Sequence, residues 1–180
     1  MGAKPRSGAE AAEAAAPALS ASDLVAGEIE GVVVRDLRRF ADGRGWLAEL
    51  FRDDEVAGEL RPAMAYVSST APGAARGPHE HRDQADHFCF IGPAEFELRL
   101  WDNRPGSATF GRVMTLRAGG DGLRSVIVPA GVVHAYRNVG AAEGLVVNLP
   151  NRLYMGAGRA EGVDEIRHED DPGTIFRLED

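Results

Sequence analysis

Past Leu60 the chain holds no stretch of ten residues whose apolar side chains recur on a period of about 3.6, so a helical fold has no face to pack. It carries instead short β-prone runs at 65–70, 88–91, 96–101, 110–116, 126–128, 132–139 and 145–149. Phe96-Glu97-Leu98-Arg99-Leu100-Trp101 alternates apolar and polar residues for most of its length, which buries one strand face and wets the other. Gly, Pro, Asn and Asp separate the runs at intervals of roughly 8–12 residues, the pattern of a β-sandwich or barrel. Upstream, 31–34 and 46–51 read as strands around a turn at 41–45, and 53–60 as one or two helical turns closed by Pro62. The expected fold is all-β.

With 180 residues and 44% hydrophobic content the chain can fill one core, and residues 23–180 read as a single domain. Residues 1–22 are rich in Ala, Gly, Pro and Ser and lack large apolar side chains, so they read as a disordered tail. The 28 acidic residues against 20 Lys and Arg give a formal charge of −8. That balance argues against nucleic acid or an anionic membrane as a partner, and no apolar run is long enough to span a bilayer. A single cysteine, Cys89, excludes an internal disulfide framework and a thiolate metal cage. With no secretory pattern at the start, the cytoplasm is the expected location.

Four of the five histidines fall in two compact blocks. The first runs from Arg76-Gly77-Pro78-His79-Glu80-His81 to Asp86-His87-Phe88, and the second is Pro129-Ala130-Gly131-Val132-Val133-His134-Ala135-Tyr136-Arg137-Asn138. On a strand, residues i and i+2 share a face, so His79 and His81 point the same way. On the next strand Asp86, Phe88 and Phe90 share one face, and His87 and Cys89 the other. Two nearby histidines alone describe a wet strand face. A third, following a Pro-x-Gly turn on a separate strand, points to a shared site.

These blocks resemble the paired motifs of the cupin superfamily, which implies a double-sheet jelly roll, or double-stranded β-helix. Over roughly residues 29–176 the chain is similar to one branch, the dTDP-4-dehydrorhamnose 3,5-epimerase family. Asp42-Gly43-Arg44-Gly45-Trp46-x-x-Glu49, Arg76-Gly77-Pro78-His79, Thr109-Phe110-Gly111, Val128-Pro129-x-Gly131-x-x-His134 and Ile166-Arg167-His168-x-Asp170-Asp171-Pro172 follow in the family's order. The resemblance implies that His79 is the general base, taking a proton from the carbon beside the 4-keto group of a nucleotide-linked sugar. Imidazole suits that task because its ordinary pKa lies near neutrality. It further implies that Arg44 and Arg76 hold the diphosphate and keto-sugar region, that Glu49 touches substrate, that His134 lines the cavity and that Tyr154 flanks the ligand. Ordinary surface ion pairing is the plain alternative for Arg44, Arg76 and Glu49.

The departures from the family pattern are equally specific. The family's acidic Tyr falls on Asn148, its active-site Lys on Asp86, its Gln two residues after the base on His81, and an Asn on an earlier strand on Tyr66. No counterpart of the family's Asp partner to the base is expected before the chain ends at Asp180. Tyr66 or Tyr136 is then the candidate replacement proton donor. Together the changes gather His79, His81, Asp86 and His134, three imidazoles and a carboxylate suited to Fe, Mn, Ni or Zn. Three readings stand at this point. The first is an epimerase- or isomerase-like cupin acting on a nucleotide-linked 4-keto sugar with His79 as base and no required cofactor. The second is a metal-dependent cupin enzyme with another small substrate. The third is a non-catalytic sugar-binding cupin. Many short strands leave edges that a second copy can cover, as in the resembled family, so a homodimer is expected.

Overall fold

A computed structural model of the chain describes residues 19–178. Its strands are β1 (Val25–Ala26), β2 (Val33–Asp36), β3 (Phe40–Asp42), β4 (Gly45–Leu47), β5 (Tyr66–Thr70), β6 (Ala75–His81), β7 (Asp86–Gly92), β8 (Glu95–Asp102), β9 (Arg112–Gly119), β10 (Arg124–Val128), β11 (Val132–Asn138), β12 (Gly144–Asn148) and β13 (Glu165–Arg167). They form a 6-stranded sheet ordered β1-β9-β8-β11-β6-β13, a 5-stranded sheet ordered β2-β10-β7-β12-β5, and the separate β3-β4 hairpin. Apart from the parallel β1–β9 pair, neighbours run antiparallel. This is the expected cupin jelly roll. No helix among the described residues is long and apolar enough to cross a membrane.

The two sheets close on a core built by strand alternation. Phe88, Phe90, Val126, Val128 and Val146 point inward from one sheet, and Phe96, Leu98, Leu100, Val132 and Tyr136 from the other. Each such side chain contributes about 1.5–3 kcal/mol on burial. The Tyr136 ring makes T-shaped contacts with Phe90 and Phe96 at 5.4 and 5.6 Å, joining the two sheets across the core. Val133 and Ala135 point outward instead and pack with Trp101 and Phe176 in a second cluster, which Leu19, Leu24, Ile175 and Leu178 border.

Several expectations shift in detail. The tail reading over 1–22 falls mostly on 1–18, outside the described residues. Packing begins at Leu19, and Ala21–Asp23 forms a 3-10 turn. The strand read at 31–34 lies at 33–36, because Gly31 sits in a left-handed turn at φ +81°. The run 46–51 stays a strand only to Leu47, after which the chain crosses the outer face of the 5-stranded sheet. The helix read at 53–60 is two 3-10 turns, Asp53–Glu55 and Gly58–Leu60, since the segment has no apolar face and Gly58 weakens it.

Candidate functional site

Strand β6 lies between β11 and β13, with His79 opposite His134 and Arg167, and His81 opposite Glu165. Alternation turns His79, His81 and His134 to the inside of the barrel. Asp86, the first residue of β7, faces them from the other sheet. The ring centroids of His79 and His134 are 4.4 Å apart, those of His79 and His81 5.9 Å, and those of His81 and His134 6.0 Å. One donor atom from each of the three rings and one Asp86 oxygen all lie within 4.8 Å of one another.

The protonation states follow from burial and from this contact set. Asp86 Oδ2 is 3.1 Å from His81 Nε2 and 3.3 Å from His134 Nε2. Burial opposes a charge on Asp86, but hydrogen bonds from His134 and His81 outweigh it and hold the carboxyl far below the usual range. Burial also works against a charge on His81, yet Asp86 raises its pKa. His79 is pushed down to about 2 by burial and then by its neighbours His134 and His81, so it stands neutral. His134 Nδ1 lies 3.0 Å from the Val132 carbonyl oxygen, which can only accept. That bond places a proton on Nδ1, and Nε2 is the ring atom that faces Asp86.

A polar chain continues from this cluster. The Asn148 Nδ2 donates to Asp86 Oδ1 at 2.8 Å and to the Tyr66 hydroxyl at 2.9 Å, while its Oδ1 accepts from the His87 backbone N–H at 3.1 Å. Burial raises the Tyr66 phenol above its ordinary pKa, keeping it protonated. His79 and His81 open into a cavity of about 1490 Å³, whose walls include Tyr66, Tyr136, Arg76 and Tyr154. The Arg76 guanidinium is oriented by Thr70 Oγ1 at 3.1 Å and the Ser69 carbonyl at 2.9 Å. Tyr154 stands at the mouth, about half exposed.

The structure thus brings together His79, His81, Asp86, His134, Asn148, Tyr66, Arg76 and Tyr154. It does not bring Arg44 or Glu49 to this cavity. Arg44 rides on the β3-β4 hairpin, which pairs only with itself, and its exposed side chain is bonded to Asp42 at 2.6 Å. Glu49 lines a different cavity on the outer face of the 5-stranded sheet. Sequence reading missed Glu165 and Glu169, which β13 and the turn after it place 3.6 and 4.0 Å from His79 Nδ1. They bring carboxylates beside His79 from around the Ile166-Arg167-His168 motif, where only the flanking charges signalled them.

The family profile described as dTDP-4-dehydrorhamnose 3,5-epimerase matches residues 26–158. The chain is 37% identical over 128 residues to the probable low-salt glycan biosynthesis epimerase Agl13 of Haloferax volcanii, covering 70% of this chain and 81% of that one. It is 36% identical over 126 residues to the spore coat polysaccharide biosynthesis protein SpsL of Bacillus subtilis, covering 70% and 82%. Among solved structures, NovW, a 4-keto-6-deoxy sugar epimerase of Streptomyces spheroides, superposes with a TM-score of 0.67 at 26% identity, covering 82% of this chain and 74% of its own. With the profile spanning most of its length and two relatives above a third identical, this chain belongs to the dTDP-4-dehydrorhamnose 3,5-epimerase family.

Proposed function

We propose that the chain is an epimerase- or isomerase-like enzyme acting on a nucleotide-linked 4-keto sugar, with His79 as base. One observation carries this reading: a neutral His79 on one sheet faces, across a cavity of about 1490 Å³, a protonated Tyr66 on the other. The C–H bond beside the keto group breaks, its proton passes to His79, and its electron pair moves onto the keto oxygen as an enolate. The resulting imidazolium is stabilised by Asp86, Glu165 and Glu169. A proton delivered from Tyr66 on the opposite side then inverts the carbon. Asn148, which cannot itself deliver a proton, orients the phenol. Arg76 and Tyr154 hold the nucleotide-bearing part of the substrate, and the guanidinium fork suits a diphosphate. Arg44 and Glu49 enter this scheme only across a homodimer, for which the exposed Phe40, Trp46, Leu47 and Val67 offer an apolar surface. Sedimentation as a dimer at micromolar concentration is the check, and a monomer there removes both residues. We take the cytoplasm as its compartment, a setting in which the buried Cys89 stays a free thiol.

A second reading rests on the cluster itself. Three imidazole nitrogens and one carboxylate oxygen within 4.8 Å fit Fe, Mn, Ni or Zn, and the His134 Nδ1–H bond to a backbone carbonyl is the outer support that a metal-binding histidine uses. His79, His81, Asp86 and His134 would hold the ion, which would supply positive charge beside the keto oxygen where the family's Lys is replaced. Solvent-deuterium uptake by a 4-keto nucleotide sugar, run beside metal analysis of untagged protein, tests both readings. His79→Ala should lower uptake by about 10²–10⁴-fold while nucleotide binding persists. Unchanged uptake removes His79 from the base role, and no uptake by the wild type on any such sugar leaves a binding protein. Metal-free protein exchanging at full rate in chelator excludes the second reading.

A further inference from the structure

The opposite face of β7 carries a second cavity that the reaction above does not use. Alternation turns His87 and Cys89 away from Asp86 and Phe88, onto the outer face of the 5-stranded sheet. There the segment after β4 crosses over them, with the Leu50 carbonyl above Cys89, and encloses a cavity of about 260 Å³. Its floor holds the His87 ring and the Ser125 hydroxyl, and Leu50, Phe51 and Val56 add apolar wall. His87 is 5% exposed, and neither ring nitrogen has a hydrogen-bond partner among the described residues. Buried polar groups are normally hydrogen-bonded, so both nitrogens call for a ligand.

The charges at the mouth say which kind. Arg35, Arg38 and Arg52 line the cavity together with Asp36, Glu49 and Glu55. All three carboxylates are already bound: Asp36 to Arg124 at 2.8 Å, Glu49 to Arg52 at 3.4 Å, and Glu55 to Arg35 at 3.5 Å. Arg38 has no carboxylate partner among the described residues, and its guanidinium rests 4.8 Å from the Phe40 ring centroid. The available charge is therefore positive, over a floor of neutral donors and acceptors. A neutral imidazole offers one N–H and one lone pair, so a ligand satisfying both must accept a hydrogen bond and donate one.

We propose that the His87 cavity binds a small oxyanion that also carries an O–H, with inorganic phosphate and short hydroxy-carboxylates as the chemistry it fits. The anionic oxygens meet Arg38 and the imidazole N–H, and the hydroxyl donates to the other ring nitrogen.

Calorimetry and imidazole nitrogen NMR on the full chain, at constant ionic strength, test this with inorganic phosphate and with glycolate. One of the two should bind saturably and move the His87 nitrogens, and which one does identifies the source. The analogue without the O–H, sulfate or acetate respectively, should bind about tenfold more weakly, the value of one buried hydrogen bond. Arg38→Ala, an exposed change that leaves folding alone, should weaken binding about tenfold, and His87→Leu should abolish it. His79→Asn should leave it intact, so failure of the catalytic reading does not carry this one with it. Absence of saturation at tens of millimolar with both anions overturns the proposal. So does equal binding by the analogue without the O–H, or binding that survives both Arg38→Ala and His87→Leu.

Discussion

Asn148 is an amide at the position where the sequence resemblance implies an acidic Tyr, and the structure shows a phenol one strand away. Tyr66 pairs directly with Asn148 across β5 and β12, and the amide holds the hydroxyl at 2.9 Å. In the proposed reaction Tyr66 takes the acid's part from this neighbouring strand, with the Asn148 amide aiming its hydroxyl. Deprotonation and inversion should then separate on mutation. Tyr66→Phe should reduce formation of the inverted sugar by about 10²–10⁴-fold, because the donor on the far side is gone. Solvent deuterium should still wash into the substrate through His79, with KM little changed. Equal loss of exchange and inversion would place Tyr66 in binding rather than in proton delivery.

The element that fixes His79 is the start of β6. Gly77 adopts φ +78°, and a Cβ built there would stand 2.5 Å from the His134 carbonyl oxygen and 3.1 Å from His79 Nδ1. Only glycine lets β6 approach β11 closely enough to set the two imidazoles 4.4 Å apart. Gly77→Ala should therefore lower stability by more than about 1 kcal/mol and depress turnover together, read by urea unfolding beside an exchange assay. An active variant of wild-type stability would show that β6 is not so constrained. Much of this arrangement was legible in the residues. The alternation of 96–101, the His-x-His of one strand and the Pro-x-Gly-x-x-His of another announced two sheets with imidazoles between them. What stayed hidden was set by partners distant in the chain. β13 is three residues long and carries no period of its own, so Glu165 and Glu169 reach His79 only because β6 offers an edge to pair. Arg44 and Glu49 were read from a motif, which says nothing of where an independent hairpin stands.

Across the whole molecule the beginning of the packed chain is tied to the end of the 6-stranded sheet through Asp102. This carboxylate, fully buried at the end of β8, accepts from Arg104 Nε at 2.7 Å and Nη2 at 2.8 Å, and from the Ser107 and Thr109 hydroxyls. Arg104 donates in turn to the Glu30 carbonyl at 2.7 Å, and Thr109 Oγ1 accepts from the Glu30 N–H at 3.0 Å. Burial alone would raise the Asp102 pKa, but these donors overcome it and bring the group from 3.8 down to about 2. A pKa depressed by folding means that the native state binds the proton less readily than the unfolded chain. The resulting stabilisation is complete above the unfolded value and disappears as pH falls through the folded one. For this shift it amounts to about 2 kcal/mol. Urea unfolding of wild type and Asp102→Asn should therefore show a gap that is constant from pH 7 to about 5 and narrows steadily toward pH 2. Asn keeps the size of the side chain, so packing contributes little to the difference. A gap that stays constant down to pH 2 would mean that the carboxylate's charge does not hold these segments together, and that the hydroxyl and guanidinium contacts act through shape alone.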